Sequence, residues 1–184
     1  MMEQYKPAIN RGAIMGIVSI IVFVLIYAID PLFFAKPAGW MVSLGVNLLA
    51  IPIVFMILGA RDCKPNFSPY KFGNAFNAAF FTAIVATLIV LVFNIIFTNV
   101  IDTNWESQIR EAAFEQSMEF MEKMGADDDA IDVAMEKAKK KMEEQPNGIT
   151  AQILNTGKIL VWYIILALII GAVYKEKQQD TSFE

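Results

Sequence analysis

The chain has no histidine and a single cysteine, Cys63, among its 184 residues. Without histidine, the commonest general base and the commonest metal ligand are both gone. One thiol allows no internal disulfide and no cysteine-rich metal centre. The phosphate-binding loop, the dinucleotide glycine fingerprint, the nucleophile elbow and His-Glu-x-x-His are missing as well. Asp127-Asp128-Asp129 lacks the alternating acids, central glycine and closing glutamate of a calcium loop, and reads as the start of a helix. Charged residues make up only 18% of the chain, against about 25% in a typical soluble domain. No carboxylate lies centrally in any long apolar run, which argues against a proton-driven pump. The expectation is a non-enzymatic chain with no cofactor and no metal.

What the chain does have is apolar length. Hydrophobic residues make up 56% of it and the mean hydropathy is +0.47. The excess sits in four blocks, each about long enough to cross a bilayer. The reading is an all-α integral membrane bundle of four transmembrane helices, one domain over residues 1–184. The spans fall at about 12–29, 40–59, 75–97 and 153–174, and an acidic extramembrane helical hairpin, 103–145, sits between the third and the fourth. The uncharged run Ala75–Phe93 and the polar insert after it are the features around which the rest is arranged.

Within the first span, Gly12-x-x-x-Gly16 allows another helix to approach closely. No small-x-small cleavage site follows it, so the span is expected to stay rather than be removed as a leader. Asp30-Pro31 ends it. In the second span Pro52 must free a carbonyl one turn earlier and bend the axis. Ala75, Ala79, Ala83 and Thr87 form a small-residue stripe on the third span, suited to packing. Asn47, Asn77 and Asn94 are the candidate intramembrane polar contacts. The tail from Lys175 is polar and expected to be frayed.

In the insert, Thr103 and Glu106 have capping-box spacing, which places a helix over about Asn104–Met124. Phe114, Met118, Met121 and Met124 fall on one face of it. Gly125 would end that helix, and the three aspartates open a second one whose bases, Lys137 to Lys141, come late, as the helix dipole favours. Ile131, Met135, Ala138 and Met142 give it a narrow apolar seam, and Pro146-Asn147-Gly148 stops it. Two narrow seams are marginal alone, so the hairpin should lean on its own bundle, on a second copy or on a partner. Phe114, Met118, Met121 and Met135 are the candidate partner face.

Charge orients the chain. Residues 99–148 hold thirteen acids and six bases, a balance of −7, and the remainder carries +3. An acidic extramembrane part excludes a nucleic-acid partner. Lys6, Arg11, Arg61, Lys64, Lys71, Lys175 and Lys177 fall on one side of the membrane among the short connections, and Lys36 alone on the other. The positive-inside rule then places both termini in the cytoplasm and the hairpin outside a plasma (inner) membrane. Cys63 is expected to report that topology, staying unlabelled by an impermeant maleimide until cells are permeabilised. On the outer side, Lys158 either snorkels or pairs with Asp30 or Asp102 across the bundle's end.

Arg61-Asp62, the re-entry Tyr70-Lys71-Phe72-Gly73-Asn74-Ala75-Phe76, and the polar insert with its return span together resemble a bacterial family of membrane proteins, domain of unknown function 4199. The resemblance covers nearly the whole chain. It implies the four-span layout with an inserted helical segment, and it carries no catalytic residue. The expected role is that of an interaction or scaffold module held in the lipid bilayer. A protein partner or self-association would engage the hairpin. The alternative is a small transporter or channel subunit with a path lined by Asn47, Asn77 and Asn94.

Overall fold

A computed structural model describes residues 2–143 and 148–176, and every regular element in them is helical. In chain order these are α1 (Lys6–Ile29), α2 (Pro37–Val42), a π-helical stretch (Ser43–Ala50), α3 (Ile51–Cys63), α4 (Phe72–Ile96), a second π-helical stretch (Phe97–Ile101), α5 (Trp105–Lys123), α6 (Asp128–Glu143) and α7 (Gly148–Tyr174). Four continuous helical segments are long and apolar enough to cross a membrane: Met2–Ile29, Pro37–Asn66, Phe72–Ile101 and Gly148–Tyr174. The molecule is an all-α membrane bundle.

Span three is central. α4 packs on α1, α3 and α7. Its buried positions are Ala75, Ala78, Ala79, Thr82, Ala83 and Ala86, a band wider than one stripe because it faces three neighbours. Each neighbour meets it with a glycine. A Cβ added at Gly12 would lie 2.5 Å from the Thr82 carbonyl oxygen, and one at Gly16 would lie 3.0 Å from Ile89. One at Gly59 would strike the Thr82 hydroxyl, and one at Gly171 would come within 3.1 Å of Phe76. Lipid tails are as apolar as leucine, so association in the membrane depends on such close packing rather than on escape from water.

Span two departs from a regular α-helix just before Pro52. Proline has no N–H to offer the Leu48 carbonyl one turn earlier. The preceding segment, Ser43–Ala50, widens into a π-helix. The Trp162 indole of α7 donates to the Leu48 oxygen at 3.3 Å, so a neighbouring span satisfies the freed acceptor.

Two ends of the chain differ from the sequence reading. Span one is helical from Lys6, before the expected start near residue 12, after a 3₁₀ turn over Met2–Tyr5. Tyr5 is buried there against Phe67 and Phe81, at ring separations of 5.2 and 5.1 Å, which anchors the early start. The C-terminal tail is tied down at least to Glu176. Its N–H donates to the Tyr70 carbonyl at 2.9 Å, and its carboxylate accepts from the Tyr70 N–H at 3.0 Å. The stop at Pro146-Asn147 and the base Lys177 lie outside the described residues.

Candidate functional site

The hairpin is rooted in the bundle by Trp105. Its indole N–H donates to the Pro31 carbonyl at 2.9 Å. Its ring meets Phe23 and Phe97 edge-on at 5.4 and 5.5 Å, and Phe34 at 6.4 Å. Phe23, Phe34 and Phe97 come from span one, the turn after it and the end of span three, so one side chain ties three connections together. Beside it the Tyr27 hydroxyl donates to Asp102 Oδ2 at 2.8 Å, and Asp102 Oδ1 accepts from the Asn104 N–H at 3.2 Å. Gln152 of α7 donates to Thr98 at 2.8 Å and to Glu106 at 3.1 Å. The expected capping box does not form: Asn104 is the N-cap, and Glu106 reaches across to Gln152 instead of back to Thr103. A tertiary partner from span four has taken the carboxylate that local geometry would have used.

Beyond this root the hairpin continues through α5 and α6. α5 ends in a Schellman turn, with Gly125 at φ 75° and hydrogen bonds from Ala126 to Met121 and from Gly125 to Glu122. α5 and α6 pack on each other, with Ile131 buried and Phe114, Met121 and Met135 half-buried. Met118 lies at the exposed edge of that seam, and Phe120 and Met124 are 60% and 71% exposed near the tip. Glu119 accepts from Lys123 one turn on, which holds its carboxyl below the usual range.

The three charges at the hairpin end of the bundle are not brought together. Asp30 bonds Lys36 and the Leu32 N–H, and the Lys36 bond holds its carboxyl below the usual range. Asp102 serves Tyr27, and Lys158 donates to Asn155 at 3.3 Å on an exposed face. Of the two alternatives for Lys158, snorkelling or pairing, the pairing with either aspartate does not form: Asp30 and Lys158 each bond a partner within six residues.

The amides do not converge either. Asn77 Nδ2 lies 3.5 Å from the Tyr5 hydroxyl at the termini end. Asn94 is seventeen residues further along the same helix, turned away by about 100° at ~100° per residue. Asn47 lies in the π-helical stretch, where its Oδ1 is buried without a hydrogen-bond partner among the described residues.

At the termini end Asp62 receives Arg11 at 2.7 Å and Arg61 at 3.3 Å. An open cleft of about 570 Å³ adjoins this pair, lined by Glu3, Lys6, Pro7, Asn10, Arg11, Ile14, Asp62 and Asn66. Cys63 is 0% exposed there, which corrects its expected use as a topology reporter: folded protein offers no thiol to a maleimide from either side. The Tyr70 hydroxyl, also buried, donates to the Ala60 carbonyl at 2.6 Å, and burial pushes its phenol far above the usual value. Tyr70 thus stays a neutral donor at any working pH. Tyr70→Phe strands a buried carbonyl and is expected to cost about 1–3 kcal/mol, read as an earlier thermal transition in detergent. An unchanged transition would mean that this bond adds nothing.

Sequence patterns gave no sign of Tyr27, Tyr70 or Gln152 as bond-forming groups. For Trp162 there was an indirect signal, since Pro52 marks the Leu48 carbonyl as needing a donor. Among the described residues no three acidic or cysteine side chains gather as a metal site would require. No curated protein and no solved structure matches the chain. The family model described as "Protein of unknown function (DUF4199)" matches residues 10–176, nearly all of this architecture from Asn10 through Glu176, and the chain belongs to that family.

Proposed function

We propose that the protein is a non-enzymatic membrane interaction module that presents an acidic helical hairpin to a protein partner with a basic, partly apolar docking face. The observation that carries this reading is the contrast within the hairpin: a root fixed by Trp105 and Glu106, and a tip with Phe120 and Met124 exposed among acids. Glu115, Glu119, Glu122, Asp127, Asp129 and Asp132 surround that tip, with Lys123 the base among them. A second copy would bring the same sign to the same surface, so a basic partner fits better. The hairpin faces out of a plasma (inner) membrane and both termini face the cytoplasm, as the bases at Lys6, Arg11, Arg61, Lys64, Lys71 and Lys175 favour.

Two measurements on the full chain in cells test this. With Cys63→Ala as background, a cysteine replacing Glu122 is expected to take an impermeant maleimide in intact cells. Labelling only after permeabilisation would reverse the orientation. A photo-crosslinker in place of Phe120 is expected to give one adduct of defined mass. That adduct should disappear in high salt and in the double variant Glu119→Lys, Glu122→Lys, with membrane insertion unchanged. An adduct indifferent to both, or none above background, would sink the docking role.

A further inference from the structure

The cleft at the termini end has the form of an amphiphile site. Its upper lining is polar and balanced in sign: Glu3, Lys6 and Asn10 of span one, the Arg11–Asp62 pair, and Asn66. Neither Glu3 nor Lys6 forms an ion pair among the described residues. Asp62 engages Nε and Nη2 of Arg11, which leaves the Nη1 edge open. The floor is apolar, formed by Pro7 and Ile14.

Below the floor the same helix face continues at alternating steps of three and four through Ile17, Ile21 and Val24, all exposed. On span two Val54 is exposed as well. A polar cleft thus opens directly onto a lipid-facing apolar stripe. About 570 Å³ lies within the usual 300–1,000 Å³ of a small-molecule site.

We infer that this cleft binds the headgroup of a zwitterionic phospholipid carrying a primary ammonium, with its acyl chains along Ile14, Ile17 and Ile21. Lys6 and the open edge of Arg11 take the phosphate. The Glu3 carboxylate takes the ammonium, whose N–H groups can donate to it where a quaternary ammonium has none. A single-sign headgroup would leave Glu3 unmatched. The site lies at the opposite end from the hairpin and does not depend on the docking role.

Native mass spectrometry of the delipidated full chain, with phosphatidylethanolamine, phosphatidylcholine and phosphatidylglycerol added in turn, tests this. One phosphatidylethanolamine per chain is expected to be retained roughly tenfold better than either of the others, the worth of about one charge-assisted hydrogen bond. Glu3→Gln should erase that preference and Lys6→Gln should weaken retention of all three. Both residues are exposed, so the variants should fold, and an unshifted thermal transition without lipid checks that. Soluble glycerophosphoethanolamine should compete only at far higher concentration. Equal retention of the three lipids, a preference that survives Glu3→Gln, or equal potency of the soluble headgroup would each overturn the inference.

Discussion

Gly12→Leu is expected to destroy the contact between spans one and three and to leave little monodisperse protein. A Cβ at this position would sit 2.5 Å from the Thr82 carbonyl oxygen and 2.9 Å from the Val85 Cβ. The first of these is backbone of the central helix and cannot rotate away. The two helices must separate, and in lipid nothing but packing holds them. Overfilling a tight contact typically costs about 1–3 kcal/mol, and three further carbons beyond the Cβ put leucine at or above the upper end. That corresponds to roughly 6–12 °C in the thermal midpoint at this chain length. Gly12→Ala should fall between the two. At Gly45 and Gly157 an added Cβ would meet nothing within 4 Å, so alanine there should be neutral or gain up to about 1 kcal/mol of helix propensity. If Gly12→Leu melts no earlier than Gly45→Leu, the two spans do not pack through this face.

Small residues were legible as packing surfaces because their signal is periodic. Gly12 and Gly16, and the alanines of span three, have the spacing that close helix contact demands, and they lie in the bundle's interior. Periodicity does not say which helix a stripe meets, so it left the glycines of spans two and four, Gly59 and Gly171, unremarked. Polar partners were read less well. Local rules paired Thr103 with Glu106 and sought Lys158 a partner across the bundle. In the fold Gln152, forty-six residues away in sequence, claims Glu106, while Asp30 and Lys158 settle for neighbours on their own segments. Long-range choices of this kind depend on the rotation of each span about its axis, which no single helix encodes. The termini-end cleft was invisible for the same reason. Span one was expected to begin near residue 12, because the burial of Tyr5 that extends the helix depends on Phe67 and Phe81.

Trp105→Ala is expected to release the hairpin while the bundle stays folded. The substitution removes the indole bond to Pro31 and the ring contacts with Phe23, Phe34 and Phe97. The bond is worth about 0.5–1.5 kcal/mol and each aromatic pair a similar amount. Trp105 is only half-buried, so about 2–4 kcal/mol is the expected total rather than the full sum of these ranges. The loss is expected to be local, because the buried core shared by α1, α3, α4 and α7 does not include Phe23, Phe34 or Phe97, the rings that Trp105 touches. Helices of sixteen and nineteen residues are marginal by themselves. Hydrogen exchange of the α5 amides should therefore speed up by roughly 30-fold or more, at about 1.4 kcal/mol per tenfold, while the amides of α4 keep their protection. Trp105→Phe keeps a ring but loses the donor, and should accelerate exchange by only about tenfold. Unchanged exchange in α5 would show that the hairpin is held elsewhere. Acceleration spread evenly through α4 would show that Trp105 supports the bundle itself rather than anchoring the hairpin to it.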